Sequence, residues 1–77
     1  MEIRSALDKI IQGQDLSEHE MFATFTKIMS GEATDTQIGA LLVAMRMKGE
    51  TIDEISGAVN AMTVSYTHLR AHETLSY

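Results

Sequence analysis

Three glycines punctuate this chain at even intervals, and each is followed by the same kind of helix-start signal. Gly13, Gly31 and Gly49 each close an apolar-periodic stretch. A left-handed residue is wanted where a helix ends, and glycine has no Cβ to oppose that conformation. Within a few residues come Ser17 with Glu20, Thr34 with Gln37, and Thr51 with Glu54. Each pair fits a capping box, in which the hydroxyl accepts from a backbone N–H one turn in and the Glu or Gln reaches back. Leu16 before the first cap and Met21 after it have the spacing of a hydrophobic staple. Three stop signals in register with three start signals dictate helix–turn–helix organisation.

The apolar spacing agrees. Helices are expected over about 3–12, 18–30, 35–48 and 52–63. Their apolar faces are read as Ile3, Leu7, Ile10 and Ile11; Met21, Phe22, Phe25, Ile28 and Met29; Ile38, Leu41, Leu42 and Met45; and Ile52, Ile55, Val59 and Met62. All recur with helical periodicity, and the strict alternation of a strand is absent over this stretch. The fold class expected is all-α, a small four-helix bundle-like domain. The third helix is apolar nearly all round, from Ile38 to Met45, which predicts a central position. Gly39, Ala40 and Ala44 in that helix, and Gly57, Ala58 and Ala61 in the fourth, permit close helix approach. Four helices cannot cover this much apolar surface, so part of it is expected to meet a partner. The segments share only their caps, so the even spacing is not a solenoid repeat.

Composition narrows the function classes. At 77 residues the chain holds one domain at most, and it has no cysteine for a disulfide or a thiolate–metal site. A domain this short buries only about 60% of the surface its unfolded chain exposes, and without staples it leans on a partner. The net charge is −5 and the basic residues are scattered, which argues against nucleic-acid binding. No apolar run approaches the length of a membrane span. Met1-Glu2-Ile3-Arg4 does not open a secretory signal, so cytoplasmic residence is expected.

Single residues with chemical potential have plainer readings beside them. Asp53 with Glu54, and Glu18 with Glu20, read as acid–base pairs only if their place in first helical turns is ignored, where negative charge complements the helix dipole. His19 lies between two of those carboxylates with no nucleophile in sight, and reads as a solvated side chain. Arg46 and Lys48 suit the negative end of the third helix better than an anionic substrate. Met45 and Met47 read as core. An acyl carrier would need Asp-Ser-Leu at a helix start, where this chain has Gln14-Asp15-Leu16-Ser17.

Three strings carry a family resemblance: Ile28-Met29-Ser30-Gly31-Glu32-Ala33-Thr34; Gln37-Ile38-Gly39-Ala40-Leu41-Leu42; and Arg46-Met47-Lys48-Gly49-Glu50-Thr51 with Glu54-Ile55. They resemble the N-terminal helical domain of the anthranilate phosphoribosyltransferases, and Leu7 to Leu16 fits the same domain. A related domain begins the pyrimidine-nucleoside phosphorylases, but residues 46–51 look more like the anthranilate enzymes. The resemblance implies an enzyme that moves a phosphoribosyl group from phosphoribosyl pyrophosphate to anthranilate in tryptophan biosynthesis, with Mg2+ neutralising the pyrophosphate. It further implies a homodimer through the helical domain, which also forms one side of a cleft facing an α/β catalytic domain. The family's phosphate-binding glycine loop, acidic magnesium ligands and basic anthranilate contacts have no counterpart here. The expectation is therefore a fragment, inactive alone, with no catalytic, cofactor-binding or metal residue. A free-standing helical interaction module is the reading from another class.

Residues 1–63 are expected to be that helical domain, and 64–77 a non-native tail. Val64-Ser65-Tyr66-Thr67-His68-Leu69-Arg70-Ala71-His72-Glu73-Thr74 resembles one reading frame of a transposase-type sequencing adapter, and the composition shifts abruptly there. His68 and His72 have the i, i+4 spacing of a zinc pair, but the internal Glu of a metalloprotease motif is missing and no third ligand is obvious.

Overall fold

The computed structural model describes the backbone of residues 1–73 and the side chains of residues 1–64. Four helices follow in order: α1 (Ile3–Ile11), α2 (Glu18–Met29), α3 (Asp35–Lys48) and α4 (Ile52–Glu73). No strand occurs among the described residues, as the all-α expectation requires.

The punctuation works as the sequence predicts. Gly13 and Gly31 both take φ 81°, and Gly49 takes φ 93°. After α1 the Gly13 amide donates to the Ile10 carbonyl at 2.9 Å and the Gln14 amide to the Lys9 carbonyl at 3.0 Å. Gly31 and Glu32 repeat this after α2, so both ends use the double-bonded left-handed stop. All three capping boxes close. The Ser17, Thr34 and Thr51 hydroxyls each accept at 3.1 Å from the backbone three residues on, and Glu20, Gln37 and Glu54 return the bond at 2.9–3.0 Å.

The end of α4 departs from the expected residue 63. The helix runs without a break to Glu73. The physical reason is the absence of a stop: no glycine or proline follows Gly57, so nothing brings the left-handed turn that ends the other helices. The side chains of His68, His72 and Glu73 lie outside the described residues, and with them the zinc-pair reading.

Packing is uneven. α4 lies along α2 through its most extensive contact, α3 lies on α1, and α1 meets α2 more lightly. One continuous core joins them, built from Ala6, Ile10, Leu16, Met21, Leu41 and Ala61 with their neighbours. Ile11 and Met29, read as parts of apolar faces, are exposed at the ends of α1 and α2, and two whole faces depart from expectation. α3 is not central: Leu41 and Met45 are buried, while Leu42, Val43 and Met47 face outward. On α4 the large aliphatic stripe is turned away from the core, and Glu54, Gly57, Ala58 and Ala61 are buried instead. The cause is the close crossing with α2. A Cβ at Gly57 would meet the Glu18 carbonyl oxygen, with Met21 Cβ and the Phe22 amide nitrogen each 3.0 Å away. Only the small face of α4 fits there, so the opposite face goes to solvent.

Candidate functional site

Two features stand out once the helices are placed. The first is a buried ion pair where two interhelical connections meet. Lys48, the last residue of α3, extends its ammonium to Glu54 Oε1 at 2.8 Å, Asp15 Oδ1 at 2.9 Å and the Gly49 carbonyl at 2.9 Å. Glu54 is fully buried in the first turn of α4. Its other oxygen accepts from the Leu16 amide at 2.7 Å, and Oε1 also takes the Thr51 amide at 2.9 Å. A buried carboxylate is tolerable only when paired and hydrogen-bonded, and here both oxygens are engaged. Burial pushes the Glu54 carboxyl up, but the Lys48 ammonium and the two backbone donors outweigh it and hold the group below the usual 4.5. Burial likewise disfavours the Lys48 charge, and the bonds to Asp15 and Glu54 overcome it, holding the ammonium above the usual 10.5. The shifts agree in direction: each partner stabilises the other's charge. Among the described residues no buried side-chain polar atom lacks a partner.

The second feature is exposed apolar surface on two helices. Ile52, Ile55, Val59 and Met62 form a stripe along α4, with Ile52 81% exposed. Leu42, Val43 and Met47 project from α3, with Met47 84% exposed. Between the ends of α1 and α3 lies an open groove of about 350 Å³, lined by Ile10, Ile11, Gly13, Ala44, Met47 and Lys48. Scattered exposed aliphatics need no explanation, whereas contiguous stripes are the kind of surface a partner covers.

The residues weighed from sequence fall as follows. His19 is exposed beside Glu18, Phe22 and Asn60. Glu18 accepts from Asn60 Nδ2 at 3.1 Å, tying α2 to α4. Glu20 is bound within its capping box and by Lys9 Nζ at 3.1 Å. The Ser17 amide and Lys9 lower its carboxyl. Asp53 and Arg46 are exposed, and Met45 is core while Met47 is not. Glu54 and Lys48, read from sequence as helix-end charges, are those and also the buried tie. None of these groups is brought together with a nucleophile or an unpaired base. For Mg2+, no group of three or more His, Asp or Glu among the described residues could hold a metal ion, so these residues do not fit one. No helix among them is long and apolar enough to cross a membrane.

Residues 4–65 match the helical bundle domain of the glycosyl transferase family. The chain is 48% identical over 73 residues to the anthranilate phosphoribosyltransferase of Syntrophotalea carbinolica, covering 95% of this chain and 21% of that protein. It is 52% identical to that of Trichlorobacter lovleyi over 88% of this chain and 20% of the relative. To that of Pseudomonas fluorescens it is 55% identical, over 80% of this chain and 18% of the relative. The chain thus spans about one fifth of the length of these relatives. No solved structure matches it.

Proposed function

The chain belongs to the glycosyl transferase family as its helical bundle domain, and from that premise we propose that it is the N-terminal scaffold of an anthranilate phosphoribosyltransferase. On this reading the complete protein transfers phosphoribosyl from phosphoribosyl pyrophosphate to anthranilate in the cytoplasm, with Mg2+ bound by parts other than these four helices. The helices here supply no reacting group. Their task is to present two apolar faces, one to a second copy and one to the α/β catalytic domain. The observation that carries the reading is the pairing of sequence and surface. The match over residues 4–65 takes in all three capped turns, and large apolar side chains of α3 and α4 stand exposed in a chain about one fifth as long as its relatives. Charge stabilisation on a departing pyrophosphate needs metal or oriented donors, and Lys9, Lys27 and Lys48 are already committed to ion pairs.

A chimera tests it. Residues 4–65 of this chain replace the matching segment of the Syntrophotalea carbinolica enzyme, and anthranilate-dependent consumption of phosphoribosyl pyrophosphate is followed. Turnover within about tenfold of the parent, a barrier raised by no more than roughly 1.4 kcal/mol, supports the reading. A folded chimera without turnover contradicts it.

A further inference from the structure

We propose that Lys48, Glu54, Asp15 and the Leu16 amide form a clasp that holds two helix pairs together, and that opening it lets the pairs swing apart while each stays folded. The helices group as α1 with α3 and α2 with α4, and contact across the seam is lighter, made by α1 on α2. Two of the three connections, α1 to α2 and α3 to α4, cross from one pair to the other at the clasp. Lys48 ends one pair, Glu54 lies in the first turn of the last helix of the other, and Asp15 and Leu16 sit on the connection between α1 and α2. The remaining crossing, between α2 and α3, has no buried tie. Among the described residues the ion pair near it is Lys27–Glu2 at 3.3 Å, with the glutamate 80% exposed. The molecule is thus fastened by a buried charge network at one end and joined by a short turn around Gly31 at the other, the layout of a hinge.

The charges around the clasp are accounted for. Lys48 faces Glu54 from α3, and Asp15 faces Lys48 from the α1–α2 connection. From α2, Glu18 is bound to Asn60 and Glu20 to Lys9. Glu50 and Asp53, adjoining in sequence, are exposed. The lone cation in the cluster is therefore Lys48, and its removal leaves a buried carboxylate with two amide donors only. The apolar core is continuous across the seam and opposes opening, so the clasp and core act against a sub-global rather than a complete unfolding. The outward faces of α3 and α4 lie on opposite sides of this seam, so the clasp also sets the angle between the two surfaces.

The chain has no cysteine, so spin labels at V43C and V59C, both outward-facing, report one α3–α4 distance. The distance distribution is measured in the otherwise unaltered 77-residue chain, in K48M, in E54Q, and in the unaltered chain as pH falls below 4, with helical circular dichroism recorded on each sample. The expected result is a single distribution in the unaltered chain at neutral pH. A second, longer component appears in both variants and in acid, with helicity retained. An unshifted distribution in the variants overturns the proposal. So does loss of helicity together with the distance, which makes the ion pair part of one cooperative core.

Discussion

Gly57 of α4 sits against the backbone of Glu18 in α2, so closely that the carbonyl oxygen occupies the place a Cβ would need. This contact sets how α4 is rotated, and so decides which residues are core and which are surface. The obstructing atoms are backbone and a Cβ fixed to it, which cannot yield as the tip of a flexible side chain would. G57A is expected to lose about 3 kcal/mol to overpacking and regain about 1 kcal/mol of helix propensity. The net loss of roughly 2 kcal/mol is read from the midpoint of urea unfolding. An unchanged or raised midpoint would show that the helices separate freely.

The clasp makes stability pH-dependent at both ends. Glu54 and Glu20 have carboxyls held below 4.5 in the fold. Between their folded and unfolded values the unfolded chain binds more protons, so stability rises with pH there. Their contribution is complete above about 4.5 and is lost as pH falls through the depressed folded values. Lys48 is held above 10.5, so its contribution is complete below that pH and is lost as pH rises through the raised folded value. Thermal midpoints from pH 2 to 12 should form a plateau with an acid and an alkaline limb. In K48M the alkaline limb should flatten.

The caps are separable from the clasp. Ser17→Ala and Thr34→Ala each remove one side-chain acceptor at an exposed helix start. Each should cost about 1 kcal/mol, and the sum should be additive because the sites share no partner. Thr51→Ala should cost more, since Thr51 steadies the turn that places Glu54. Equal losses at all three positions, measured by chemical denaturation, would argue against that difference.

Much of the fold was legible because its signals are local. Gly13 and Ser17, or Gly31 and Thr34, announce a stop and a start within one short stretch, and the backbone obeys them. The rotation of α3 and α4 was not legible. Ile52, Ile55, Val59 and Met62 have the spacing of a core face, and periodicity cannot say whether a large or a small face meets the neighbour. The signal that could have decided it was Gly57 with Ala58 and Ala61, a stripe suited to close crossing. Glu54 and Lys48 were seen as helix-end charges, but their meeting with Asp15 and Leu16 joins residues 38 apart in the chain, which spacing does not reveal. The end of α4 was not legible in the change of composition near residue 64, since no glycine or proline after Gly57 brings the left-handed turn that ends the other helices.

The exposed faces should matter to association and not to folding. I55E with V59E places two charges on the α4 stripe, and V43E with M47E does so on α3. Surface changes of this kind usually move stability by within about 0.5 kcal/mol. Sedimentation of the unaltered chain over a range of concentrations should show self-association, and one of the two pairs should abolish it. A chain that stays monomeric throughout, or association untouched by either pair, would refute an interface role for these surfaces.

On the proposed function these helices support chemistry performed elsewhere. The most direct measurement is anthranilate-dependent consumption of phosphoribosyl pyrophosphate by the purified 77-residue chain with Mg2+ supplied. The expected rate is indistinguishable from buffer. Turnover that rises in proportion to the amount of chain, and survives repeated purification, would contradict it.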